Sequence, residues 1–153
     1  MIYSRIHHLI TLLLAMTLLT GVCAAKQLAV VVDKDNATAT VTSADLVKLF
    51  KSDLHAWPDG RSITIVVRDP ADPEMQLALD KLYKASASDL RTLINAHKSS
   101  MIVAESDEAV LRIVSSTRGA VGLVDVYSIN KNIKVVKVDG KLPLEPGYAL
   151  RGN

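Results

Sequence analysis

Two runs, LAVVV at 28–32 and ITIVV at 63–67, constrain this chain most. The first is continuously apolar, the second is interrupted only by Thr64, and both are rich in β-branched residues. Runs of that length and composition, bounded by turn residues, read as buried strands. DKDN follows the first run, and the Pro58-Asp59-Gly60 turn precedes the second. TATVT, 38–42, alternates and reads as extended chain.

Between and after these runs the apolar period changes to that of a helix. In TSADLVKLF, Thr42 caps a helix with Asp45 three residues on, a capping-box pattern. Leu46, Leu49 and Phe50 form its buried face. Asp72 is a good N-cap, and Pro73 suits the first helical position because its missing N–H costs nothing there. Met75, Ala78, Leu79 and Leu82 then fall on one helical face. A second helix carries Leu90, Leu93 and Ile94. A third begins near Ser106, where Asp107 and Glu108 favour its dipole, and turns Val110, Ile113 and Val114 inward. GAVGLVDV (119–126) and IKVVKVDG (133–140) read as closing strands. Strands separated by helices specify an α/β layered domain. Leu46, Phe50, Val66, Leu79, Ile113, Val114 and Leu123 are its expected core.

The first residues read differently. Arg5, His7 and His8 precede a greasy run from Ile10 to Leu19, followed by Gly21, Ala24 and Ala25. The run is short for a membrane span, which takes about 20 apolar residues. It fits a secretory signal peptide cut after Ala24 or Ala25, so residues 1–25 are the expected signal and 26–153 the mature domain. An uncleaved anchor is the competing reading. Cys23 is preceded by Val22 rather than a small residue, which disfavours lipid attachment. The only cysteine then leaves with the signal, and the mature chain has no thiol or disulfide chemistry. A bacterial periplasm is the expected location, with no membrane association after cleavage.

Composition excludes more than it suggests. Eighteen Lys and Arg stand against sixteen Asp and Glu. There is no basic run or basic–aromatic interleaving, so nucleic acid is a poor partner. His55 and His97, the only mature histidines, lie at no metal-ligand spacing, and no cofactor is called for. No G-x-S-x-G elbow is present, so no hydrolase is read from the serines and His97. Asn36-Ala37-Thr38 matches a glycosylation acceptor too short to carry weight. Trp57 reads as a packing anchor beneath its turn. The chemically informative stretch is RDPADPE at 68–74, a strand end running into a helix start. Such a junction can cradle an anion, yet it carries Asp69, Asp72 and Glu74.

VTSADLVKLFKSDLHAWPDGRSITIVVRD resembles the second lobe of the periplasmic phosphate-binding proteins of ABC transporters. The shared order is a helix ending in an aromatic (Phe50), a Trp near an Asp-Gly turn (Trp57, Asp59, Gly60), and a strand ending in Arg (Arg68). SDEAVLRIVSSTRGAVGLVDV and VKVDGKLPLEPGYAL resemble the family's later helix–strand pair and closing segment. The resemblance implies a single α/β layered domain like one lobe of a type II periplasmic binding protein, and no enzyme. It implies an exported solute-binding-like protein that takes a small anion such as phosphate at Arg68, Asp69, Asp72 and Glu74. The family places Ser-Gly-Thr where this chain has Asp72, Pro73 and Glu74, which removes hydroxyl donors and adds negative charge. The competing reading of Arg68 is a plain ion pair with Asp69 or Asp72 at the end of a strand. The alternative is therefore a periplasmic interaction module that has lost ligand binding and meets a partner protein or a second copy.

Overall fold

The structure, a computed structural model, describes residues 25–152; the expected signal segment, save Ala25, lies outside them. In chain order the elements are β1 (Leu28–Asp33), β2 (Thr40–Val41), α1 (Ser43–Phe50) and β3 (Thr64–Arg68). A helical segment at 73–83 follows, then α2 (Ala87–Ala96), β4 (Met101–Ala104), α3 (Asp107–Ser116), β5 (Ala120–Asp125) and β6 (Ile133–Val138). The strands form one sheet in the order β2-β6-β1-β5-β3-β4. β1 is antiparallel to both neighbours, with Leu28 opposite Asp125 and Val30 opposite Val136. The remaining pairings are parallel.

β1 is apolar from Leu28 to Val32 because both its faces are covered. Leu28, Val30 and Val32 point to one layer with Ile65, Val67, Val121, Leu123 and Val136. That layer is closed by α1, the 73–83 segment, and Leu90 of α2, with Phe50 and Tyr83 packed edge to face at 6.2 Å. Ala29, Val31, Val66, Ala120 and Val124 point the other way, under Val110, Leu111 and Val114 of α3. Small residues let α3 come close. A Cβ on Gly122 would stand 2.5 Å from Val110 Cγ1.

Six of the seven expected core residues are buried; Ile113 is only half-buried at the margin of α3. The helix expected from Pro73 is composite: a 3-10 turn (Pro73–Met75), one α turn (Gln76–Ala78) and a π turn (Leu79–Tyr83). The wider final turn buries Leu79, Leu82 and Tyr83 together, and Lys84 at φ 49° stops it. The extended run near 40 keeps only two ladder residues. MIVA at 101–104 is a strand that the apolar pattern did not single out. Thr42 caps α1 as expected, its Oγ1 accepting from Asp45 N at 3.0 Å. The reciprocal capping box lies instead at Ser86 and Asp89. Among the described residues no helix is long and apolar enough to cross a membrane.

Candidate functional site

Strand β3 leaves the sheet at Arg68, and a turn closes behind it, with Asp72 N donating to Asp69 O at 2.8 Å. The Asp69 carboxylate accepts from Ala71 N at 2.8 Å and fixes that turn. Asp72 is extended, and its Oδ1 accepts from Glu74 N at 2.9 Å, capping the first helical turn as its sequence position suggests. Its other oxygen accepts from Arg68 Nη2. Arg68 Nη1 donates to Asp107 Oδ1 at 3.0 Å, and Asp107 Oδ2 accepts from Asp125 N at 2.9 Å. One guanidinium thereby joins the end of β3, the start of the 73–83 segment, the first turn of α3 and the end of β5.

The charges do not cancel, since one cation faces two carboxylates. Burial works against the Arg68 charge, but hydrogen bonds and attraction from Asp107 and then Asp72 outweigh it and hold its pKa above the ordinary value. Asp72 is held below the usual carboxylate range, first by the Glu74 N–H and then, against partial desolvation, by Arg68. Its partners are a guanidinium and a backbone N–H at a helical start. Those are the kinds of donor an oxyanion takes, and here the Asp72 carboxylate takes both.

Of the four residues singled out from sequence, only Arg68 and Asp72 pair with each other through their side chains. Asp69 faces Arg91 at 3.4 Å, a pair more than half exposed, and Glu74 pairs with Lys26. Asp107 completes the cluster, and its sequence position announced only a favourable dipole; nothing local to it marks a contact with a residue so distant in the chain. The Arg68 Nε–H is buried without a partner. Beside the cluster lies a shallow cavity of about 230 Å³ lined by Asp69, Pro70, Arg91, Ile94, Asn95 and Val103. Ile102, Val103 and Tyr127 are exposed around this end of the sheet. Trp57 is buried, its Nε1 donating to Gly119 O at 2.9 Å. Among the described residues no three His, Cys, Asp or Glu side chains gather as a metal site.

No protein-family model matches the chain, and no curated protein matches its sequence. Solved structures do match. The phosphate-binding protein PstS of Borrelia burgdorferi superposes with a TM-score of 0.68 at 18% identity, over 85% of this chain and 56% of its own. A phosphate ABC transporter substrate-binding protein of Clostridium perfringens, with bound phosphate, gives 0.65 at 14% identity, over 76% and 46%. An ABC-type phosphate transport receptor of Vibrio cholerae gives 0.63 at 18%, over 84% and 55%. The chain thus spans about half the length of the receptors it matches. Its fold is that of one lobe of a phosphate ABC-transporter substrate-binding protein.

Proposed function

We propose that this chain is an exported, non-enzymatic module of the solute-binding type whose anion position is filled by its own Asp72. It works by contact with a partner protein, or with a second copy, rather than by capturing phosphate alone. The observation that carries this reading is the Asp72 carboxylate, which takes both the Arg68 guanidinium and the Glu74 N–H. An incoming phosphate would have to displace that carboxylate and sit beside Asp107, and like charges about 4 Å apart repel by several kcal/mol at a surface-like dielectric. The exposed Ile102, Val103 and Tyr127 support a docking role for the same end of the sheet.

Titration calorimetry with phosphate and sulfate tests it, on the mature chain and on the triple variant Asp72→Ser, Pro73→Gly, Glu74→Thr. The variant vacates the position, frees a backbone N–H and removes two charges. The expected result is no phosphate heat from the wild type and binding of millimolar order, about −4 kcal/mol, from the variant. Tight phosphate binding by the wild type would overturn the reading. Light scattering across a concentration series shows whether the partner is a second copy.

A second reading, capture of a small protonated oxyanion, is favoured by the unpartnered Nε–H of Arg68. A carboxylate at Asp72 or Asp107 could accept the proton of a hydrogen phosphate, whereas sulfate at neutral pH has none to give. Wild-type heat with phosphate and none with sulfate selects this reading.

A further inference from the structure

Strand β3 has a site at each end. At its entry a cavity of about 280 Å³ opens between β2, α1 and the loop that leads into the strand. Its walls are apolar: Val41, Leu49, Leu54, Trp57 and Ile63. Leu49, Trp57 and Ile63 are buried side chains, so the floor belongs to the core rather than to a loose surface. Ile63 and Arg68 are five residues apart, about 16 Å along a strand at roughly 3.3 Å per residue. The cavity is therefore separate from the Arg68 cluster.

One charged group lines this cavity, the carboxylate of Asp45. Its Oδ2 accepts from the Thr42 hydroxyl at 3.0 Å. The nearest cation to its other oxygen is Lys48 Nζ at 3.7 Å, and both side chains are more than half exposed. A pair that open and that long leaves the carboxylate able to take a second cation, since exposed pairs of this kind are weak. Apolar cavities of about 150 Å³ accept a benzene ring, and this one is nearly twice that. We infer that the cavity at the entry of β3 binds a small amphipathic ammonium compound, its hydrocarbon part against Trp57 and Ile63 and its ammonium group at Asp45.

Trp57 is the only tryptophan in the chain, so the indole emission comes from a wall of this cavity. The probes are phenethylamine, phenethyl alcohol and phenylacetate, matched in their ring and differing in the charge of the head. Trp57 fluorescence is titrated with each, on the wild type, on Asp45→Asn, and on Ala56→Leu, which fills the mouth from an exposed position. The expected order is amine first, then alcohol, then carboxylate, with the amine favoured over the alcohol by about threefold to fivefold in the wild type. Asp45→Asn should erase that preference and leave alcohol binding unchanged, and Ala56→Leu should weaken all three. Equal binding of the three probes by the wild type, or a preference that survives Asp45→Asn, would overturn the assignment. So would a wild-type emission that none of the probes alters.

Discussion

Replacing Arg68 with Met tests how much of the fold hangs on its guanidinium. Met keeps most of the aliphatic stem and removes the charge. The Arg68 side chain is 16% exposed and that of Asp107 10%, so the substitution leaves Asp107 charged in a largely dry position. Asp107 would keep only the Asp125 N–H. Stripping one partner from a buried pair costs about 3–5 kcal/mol. The residual exposure, and the more open setting of Asp72, place the expected loss near the lower end, about 3 kcal/mol. Asp107→Asn keeps an oxygen for Asp125 N and removes the charge, so the double variant should lose less than the sum of the singles, with a coupling of about 1–3 kcal/mol. Urea unfolding at neutral pH reads all four proteins. With a slope of about 1–3 kcal/mol per molar for a domain of this size, Arg68→Met should lower the midpoint by at least about 1 M. If Arg68→Met stays within about 1 kcal/mol of the wild type and the coupling is under about 0.5 kcal/mol, the cluster is not holding the elements together.

Gly122→Ala should cost about 1–3 kcal/mol, because its Cβ would meet Val110 Cγ1 at 2.5 Å and Val114 Cγ2 at 3.2 Å; trimming Val110 to Ala in the same protein should recover part of the loss in urea unfolding. Asp72 is held below its unfolded pKa of about 3.9, so its contribution is complete above that value and is lost as pH falls through the folded pKa. Urea midpoints should therefore fall more steeply below about pH 4 in the wild type than in Asp72→Asn, and equal slopes would refute the assignment. Mass spectrometry of exported protein should give a chain that starts at Ala25 or Lys26; a mass that retains Met1 would remove the signal-peptide reading.

The sheet was legible where the apolar code is redundant. LAVVV, ITIVV and AVGLVD carry so many β-branched residues that burial on both faces leaves them little choice. MIVA was not legible, because four residues at a sheet edge carry too little pattern to separate them from a helix end, and Ile102 and Val103 are exposed. The spacing of Met75, Ala78, Leu79 and Leu82 identified the buried face of the 73–83 segment correctly. It could not specify the mixture of 3-10, α and π turns, since an apolar residue at every third or fourth position is compatible with each of them over a single turn. At the candidate site, Asp72 as a cap and Arg68 as a strand end are local facts, written in neighbouring residues. The contact of Arg68 with Asp107 depends on how α3 crosses the sheet, so it exists only once the layers have packed.

The position of β1 has a consequence for when the molecule can fold. The strand at the centre of the sheet comes from the first described residues, and both its partners, β5 and β6, come from the last third of the chain. Tyr148 Oη and Leu150 O also reach back to Leu28. A chain emerging from its N-terminus can form α1, β3, α2 and α3 while its central strand still has no neighbours. Contacts between residues so far apart close large loops and slow folding. The sheet is completed only once β5 and β6 have been delivered, so the central strand of an incomplete chain stays unpaired and extensible until they arrive.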